Sequence, residues 1–247
     1  MEDRRIRGVV FDLDHTLFDR YATLDAISYV LIEEKKDILN PELTREELSA
    51  RIIEADATCI LYGWQKVFER LYEQGTFREG TTAEDYLQYM LNDAFFRYAV
   101  PFPFTVSTLD ALHAMGQKVG LLTNADSGIG HRRQIAKLRM LGIEDKFDAV
   151  LITGDVGGMK PDRRVFDVMT ERMGLPAKAM LFVGDHPLAD VKGSRDAGYL
   201  PVWVRLRETW IDGIEPCALS VKDISEIPSL VERLDRQDTK APPSGLV

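Results

Sequence analysis

The sequence predicts an α/β fold: a doubly wound parallel sheet with an all-helical domain inserted near its start. Three observations carry this expectation. Short apolar runs recur and end in polar residues, helical patterns alternate with them from about residue 103 onward, and the interval 20–100 shows helical periodicity only. Near-continuous hydrophobic strands, unlike alternating ones, suit a parallel sheet covered on both faces.

Strands are expected at 6–11, 118–122 and 180–183, with two more at 149–153 and 200–204. The first three run into Asp12, Thr123 and the pair Gly184-Asp185. Helices expected at 106–115, 131–141, 163–173 and 189–197 fall between the strands. In such folds ligands sit beyond the carboxyl ends of the strands, where these polar residues lie.

Within 20–100 the helical patterns cover 22–36, 45–57, 64–73 and 83–98. One crossover helix needs far fewer residues, so the interval reads as an inserted domain. Re-entry falls at Pro101-Phe102-Pro103, whose two prolines suit a stiff linker. The expected division is a core of 1–19 and 101–236, a helical domain of 20–100, and a loose tail of 237–247 without periodicity.

The 247 residues carry 45% hydrophobic and 29% charged side chains, as in ordinary globular proteins. A formal net charge of −9 argues against a surface built to neutralise nucleic acid, but not against a small phosphorylated ligand. Cys59 and Cys217 lie far apart in no metal-binding spacing, which disfavours a disulfide framework and a zinc site. The charged start, with its apolar run cut short at Asp12, is unlike a signal peptide. No run approaches the ~20 apolar residues of a membrane span, so a cytoplasmic location is expected.

Phe11-Asp12-Leu13-Asp14-His15-Thr16-Leu17-Phe18-Asp19 carries the strongest chemical signal. Two aspartates one residue apart after a buried strand repel each other unless a cation or hydrogen bonds intervene. Alone, such a pair reads as a loop that caps the next helix. It does not stand alone. Leu121-Leu122-Thr123-Asn124, then Gly158-Met159-Lys160-Pro161-Asp162, then Gly184-Asp185-His186-Pro187-Leu188-Ala189-Asp190 follow in order, each after a strand or in a loop.

These four segments resemble the motifs of the haloacid dehalogenase-like superfamily, in its phosphatase branch, over nearly all of the core. The resemblance implies a hydrolase that transfers a phosphoryl group to Asp12, with Asp14 as general acid and base. It implies phosphate contacts at Leu13, Thr123, Asn124 (through its backbone N–H) and Lys160. It also implies a Mg²⁺ held by Asp12, the backbone carbonyl of Asp14 and Asp185, with Asp190 holding a metal-bound water or orienting Lys160. The residue types fit that chemistry. A carboxylate nucleophile splits hydrolysis into two displacements, and an oxygen-ligated divalent cation offsets its repulsion from an anionic phosphate. Asp14 must be protonated when the alcohol leaves and must take a proton from water afterwards; its repulsion from Asp12 favours the protonated form.

The haloalkanoate dehalogenases of the family lack an acid at the position of Asp14, since halide leaves without a proton. A phosphomonoesterase of a small metabolite, such as a nucleotide or sugar phosphate, is therefore expected. A phosphomutase and a non-catalytic regulator that binds a phosphorylated ligand are the alternatives. His15 and His186 read as loop histidines beside the motifs. The inserted segment resembles the family's helical cap. In it Tyr62, Trp64 and Lys66 join a flat apolar surface to a cation, which suits either a substrate ring or the packing of a helix pair.

Overall fold

The computed structural model describes residues 5–59, 63–206 and 210–238. The chain forms two compact units, Met1–Phe18 with Pro101–Val247, and Asp19–Val100. After β1 (Gly8–Phe11) come α1 (Arg20–Glu34), α2 (Arg45–Cys59), α3 (Trp64–Glu73), α4 (Ala83–Tyr89) and, beyond a π-helical turn at Met90–Ala94, α5 (Phe95–Arg97). The order then runs α6 (Thr105–Ala114), β2 (Lys118–Thr123), α7 (Ile129–Met140), β3 (Ala149–Ile152), α8 (Arg163–Met173) and β4 (Met180–Gly184). It closes with α9 (Gly193–Asp196), β5 (Leu200–Val204), β6 (Ser220–Val221) and α10 (Ile227–Asp238).

The strands form one parallel sheet in the order β3-β2-β1-β4-β5-β6. The chain builds outward from β1 through β2 to β3, then crosses back to place β4 on the other side of β1. This reversal is the switch point at which doubly wound sheets open a crevice. Register sets what lines it. Phe11 pairs with Leu121 on one side and Val183 on the other, so Asp12 lies level with Leu122 and Gly184, one residue before Thr123 and Asp185.

Alternation sends Val10, Leu122 and Phe182 to one face, where they pack with Val165, Phe166, Met169 and Met173 of α8. Phe166 meets Phe182 edge-on at 5.2 Å between ring centroids. Each such side chain contributes roughly 1.5–3 kcal/mol when fully buried. The flexible ends of Met169 and Met173 of α8 fill the space beside Gly120. In α10 the buried Ile227, Leu230 and Val231 repeat at the i, i+3, i+4 spacing of a helix laid on a core.

The second unit is helical. Its α1 buries Leu24, Ile27 and Leu31, its α2 Leu48, Ile52 and Ala55, and its α3 Val67, Phe68 and Leu71. Asp19 starts α1 by accepting from the Ala22 N–H, and Thr82 with Asp85 forms a capping box for α4. Arg20 and Asp56 pair bidentately in its interior, at 2.9 and 2.6 Å.

Several local expectations change. The helix expected over 83–98 is broken by the π turn at Met90–Ala94. That expected over 189–197 opens as a π turn, Pro187–Lys192, capped by the His186 ring and led by Pro187, before α9. Such widened turns are frequent at functional sites. Residues 237 and 238, expected in the loose tail, close α10; 239–247 lie outside the described residues. The two-residue β6 has no readable periodicity and was not expected.

Candidate active site

Asp12 is 7% exposed, and its N–H continues the ladder of β1 by donating to Val183 O at 2.9 Å. The loop after it turns back sharply: the amides of Thr16 and Leu17 donate to Leu13 O, at 3.3 and 2.9 Å. His15 takes a positive φ of 62° within this turn. Leu13 is fully buried with its carbonyl engaged, which leaves its backbone amide as the group it can offer a ligand.

Lys160 is 5% exposed and reaches Asp12 Oδ1 at 2.5 Å and Asp190 Oδ1 at 2.8 Å. The second oxygen of Asp190 accepts the His186 N–H at 3.0 Å. The π turn folds Asp190 back against the end of β4, and glycine at 184 allows it: a Cβ there would stand 2.4 Å from Asp190 Oδ2. Asp185 is held through its backbone, since the indole N–H of Trp203 on β5 donates to its carbonyl at 2.9 Å. Carboxylate oxygens of Asp12, Asp185 and Asp190 all lie within 4.8 Å of one another.

Burial pushes the Asp12 carboxyl up to about 7; Lys160 pulls against this, while Asp190 and Asp14 add to it. Burial also opposes the charge of Lys160, but Asp12 and Asp190 overcome it and hold the ammonium above the ordinary lysine range. Three converging carboxylates with one ammonium leave excess negative charge in a buried place. An all-oxygen donor set of this kind suits a hard divalent cation that keeps some of its water. The cluster thus fits the Mg²⁺ that the motifs imply.

Thr123, 1% exposed, ends β2 with its hydroxyl accepting from Gln134 Nε2 at 3.1 Å. Gln134 also donates to Asn124 O at 3.2 Å, and that carbonyl fixes which end of the amide is the NH₂. The Thr123 oxygen thus receives a donor and keeps its own proton to give to an anion. The Asn124 side chain binds the Lys160 backbone on both sides, accepting from its N–H at 2.8 Å and donating to its carbonyl at 3.3 Å.

Sequence reasoning missed three supports: Gln134, Trp203 and Lys137. Lys137 Nζ lies 3.0 and 3.3 Å from the two oxygens of Asp14. Repulsion from Asp12 is therefore not the sole influence on Asp14, because an ammonium beside it stabilises the carboxylate. The signal available was spacing: Gln134 and Lys137 are one turn apart on a helix that follows a motif strand. The His186 ring accepts at Nδ1 from the Leu188 and Ala189 amides, which makes it a cap of its own turn.

Of the two roles open to Trp64 and Lys66, the contacts within the helical unit bear on packing. Trp64 meets Phe95 edge-on at 5.5 Å, with the Arg20 guanidinium 5.2 Å from its ring. Lys66 pairs with Glu69, and Tyr62 lies outside the described residues. Packing is the role these contacts show.

A doubly wound sheet with carboxylates and a lysine gathered beyond its central strands forms a site suited to a divalent cation and an anionic ligand. Residues 6–198 match the model of the haloacid dehalogenase-like hydrolases, and the chain belongs to that family. It is 29% identical over 216 residues to a glyceraldehyde 3-phosphate phosphatase of Methanopyrus kandleri, covering 85% of this chain and 88% of the relative. It is 24% identical to an (S)-2-haloacid dehalogenase of Pseudomonas putida, covering 94% and 100%. The fold is shared with the magnesium-bound HAD-hydrolase YfnB of Bacillus subtilis, with a TM-score of 0.70 at 21% identity over 92% and 99% of the two chains.

Proposed function

We propose that this hydrolase is a phosphomonoesterase of a small phosphorylated metabolite, working through an aspartyl-phosphate on Asp12. The observation that carries the reading is the Lys160 bridge between buried Asp12 and Asp190 beyond the carboxyl ends of β1 and β4. It holds a carboxylate nucleophile in place beside a cation able to receive phosphate oxygens. The acid at Asp14 favours a phosphatase over a dehalogenase, because an alkoxide leaving group needs a proton and a halide does not.

In the first displacement an Asp12 oxygen bonds to phosphorus as the bond to the ester oxygen breaks. The Asp14 proton goes to that oxygen, so the alcohol leaves neutral. In the second, a water gives its proton to Asp14 and its oxygen to phosphorus, releasing phosphate and restoring the Asp12 carboxylate. Throughout, the Thr123 hydroxyl, the amides of Leu13 and Asn124, and the Lys160 ammonium bind the phosphoryl oxygens. Mg²⁺ would be held by Asp12, the Asp14 carbonyl and Asp185, with Asp190 beside them, and would supply charge neutralisation between nucleophile and phosphate.

Phosphate release from a panel of phosphorylated metabolites with Mg²⁺ tests this reading. Wild-type protein should liberate phosphate and Asp12→Asn should not. An isomerised sugar phosphate in place of free phosphate would mark a mutase, and release by Asp12→Asn would refute the mechanism.

A further inference from the structure

Asp14 is held by a residue outside the four motif segments. Lys137 is 5% exposed, yet its ammonium contacts both oxygens of Asp14 and lies 4.7 Å from the ring of fully buried Phe18. Phe18 belongs to the same loop and pairs with Asp14 through an isolated bridge, so ring and carboxylate arrive together. One turn earlier on α7, Gln134 donates to the Thr123 hydroxyl and the Asn124 carbonyl. A single helix face therefore ties the loop that carries the acid to the loop that ends β2. Burying an ammonium is costly unless a carboxylate compensates it, which makes the contact with Asp14 directional rather than incidental.

We infer that Lys137 is the positioning residue of the general acid and base, holding the Asp14 carboxyl where it can pass its proton to the leaving oxygen. The inference rests on the phosphatase reading above. Misplacement of a catalytic group by about 1 Å can cost roughly 10²-fold in rate. Losing Lys137 should then impair cleavage of basic leaving groups and spare good ones, a split that general damage to the fold would not produce.

The test compares kcat/KM for phenyl phosphate and p-nitrophenyl phosphate in wild type, Lys137→Met, Lys137→Arg and Asp14→Asn, all with Mg²⁺. Phenoxide is the more basic leaving group and needs the proton more. Lys137→Met should lose roughly 10²-fold on phenyl phosphate and several-fold less on p-nitrophenyl phosphate, with Lys137→Arg recovering part of the loss. Asp14→Asn should show the same split more strongly. Equal losses on both esters in Lys137→Met, or a gain on phenyl phosphate, would overturn the inference while the split in Asp14→Asn leaves the phosphatase reading intact. No split in Asp14→Asn would remove the acid role itself, and the inference with it.

Discussion

The side-chain amide of Asn124 spans both backbone polar groups of Lys160, at 2.8 Å to the N–H and 3.3 Å to the carbonyl. The end of β2 thereby fixes where the lysine of a separate loop begins its reach toward Asp12. Replacing Asn124 with alanine leaves two partly buried backbone groups without that partner, at about 1–3 kcal/mol. Turnover should fall roughly 10²-fold as Lys160 drifts. Steady-state kinetics and a melting curve on the same preparation check this; unchanged kcat would show that the lysine needs no such anchor.

Asp12→Asn should abolish turnover and also change how stability depends on pH. Burial raises the Asp12 carboxyl to about 7 from the ordinary aspartate value of 3.8, so between those values the folded state binds more protons than the unfolded state. Stability contributed at this site is therefore greatest below about pH 4 and is lost as pH rises toward 7. In a chelator at pH 8, Asp12→Asn should melt a few degrees higher than wild type, roughly as 1 kcal/mol would give. At pH 4 the two should melt alike. A variant that melts lower at pH 8 would contradict the buried-carboxylate account.

Chelation should remove activity and Mg²⁺ should restore it. Ca²⁺ should restore little, because it takes more oxygen ligands at longer distances than a site of three converging carboxylates is built to give. Magnesium should also raise the melting temperature more at pH 8 than at pH 5, because a divalent cation held by Asp12, Asp185 and Asp190 would favour their ionised form. Full activity in excess chelator would exclude a metal role for Asp12, Asp185 and Asp190.

Gly184→Ala adds one methyl group where Asp190 folds back, 2.4 Å from its Oδ2. Asp190 must move, and Lys160 loses a partner. The Mg²⁺ concentration for half-maximal activity should rise about tenfold or more, as when groups supporting a metal site are lost. Metal titration of activity checks this, with circular dichroism as the control for folding.

Trp64→Ala removes a ring that packs on Phe95 and beside Arg20. Stability should fall by about 3 kcal/mol or somewhat less, because the ring is only half-buried. Its rate losses should be similar for p-nitrophenyl phosphate and for metabolite substrates. Selective loss on one metabolite, with an unchanged melting temperature, would return Trp64 to a substrate role.

What the sequence by itself determined is local. Apolar runs of four to six residues are too short for helices and alternate with helical patterns, which made the sheet and the positions of Asp12, Thr123 and Asp185 at strand ends readable. The acids and Lys160 were readable because each sits in a short segment whose order along the chain is informative. Tertiary structure alone decided the groups that hold them. Asn124 and Lys160 are 36 residues apart, and Lys137 and Asp14 are 123 apart. Nothing in either local pattern marks its partner, since a lysine on a helix is usually solvated and an asparagine at a strand end usually turns the chain. Parallel register brings these residues together: by aligning Phe11 with Leu121 and Val183, the sheet carries three distant loops to one crevice. There burial makes each charge depend on the others for its place and its protonation.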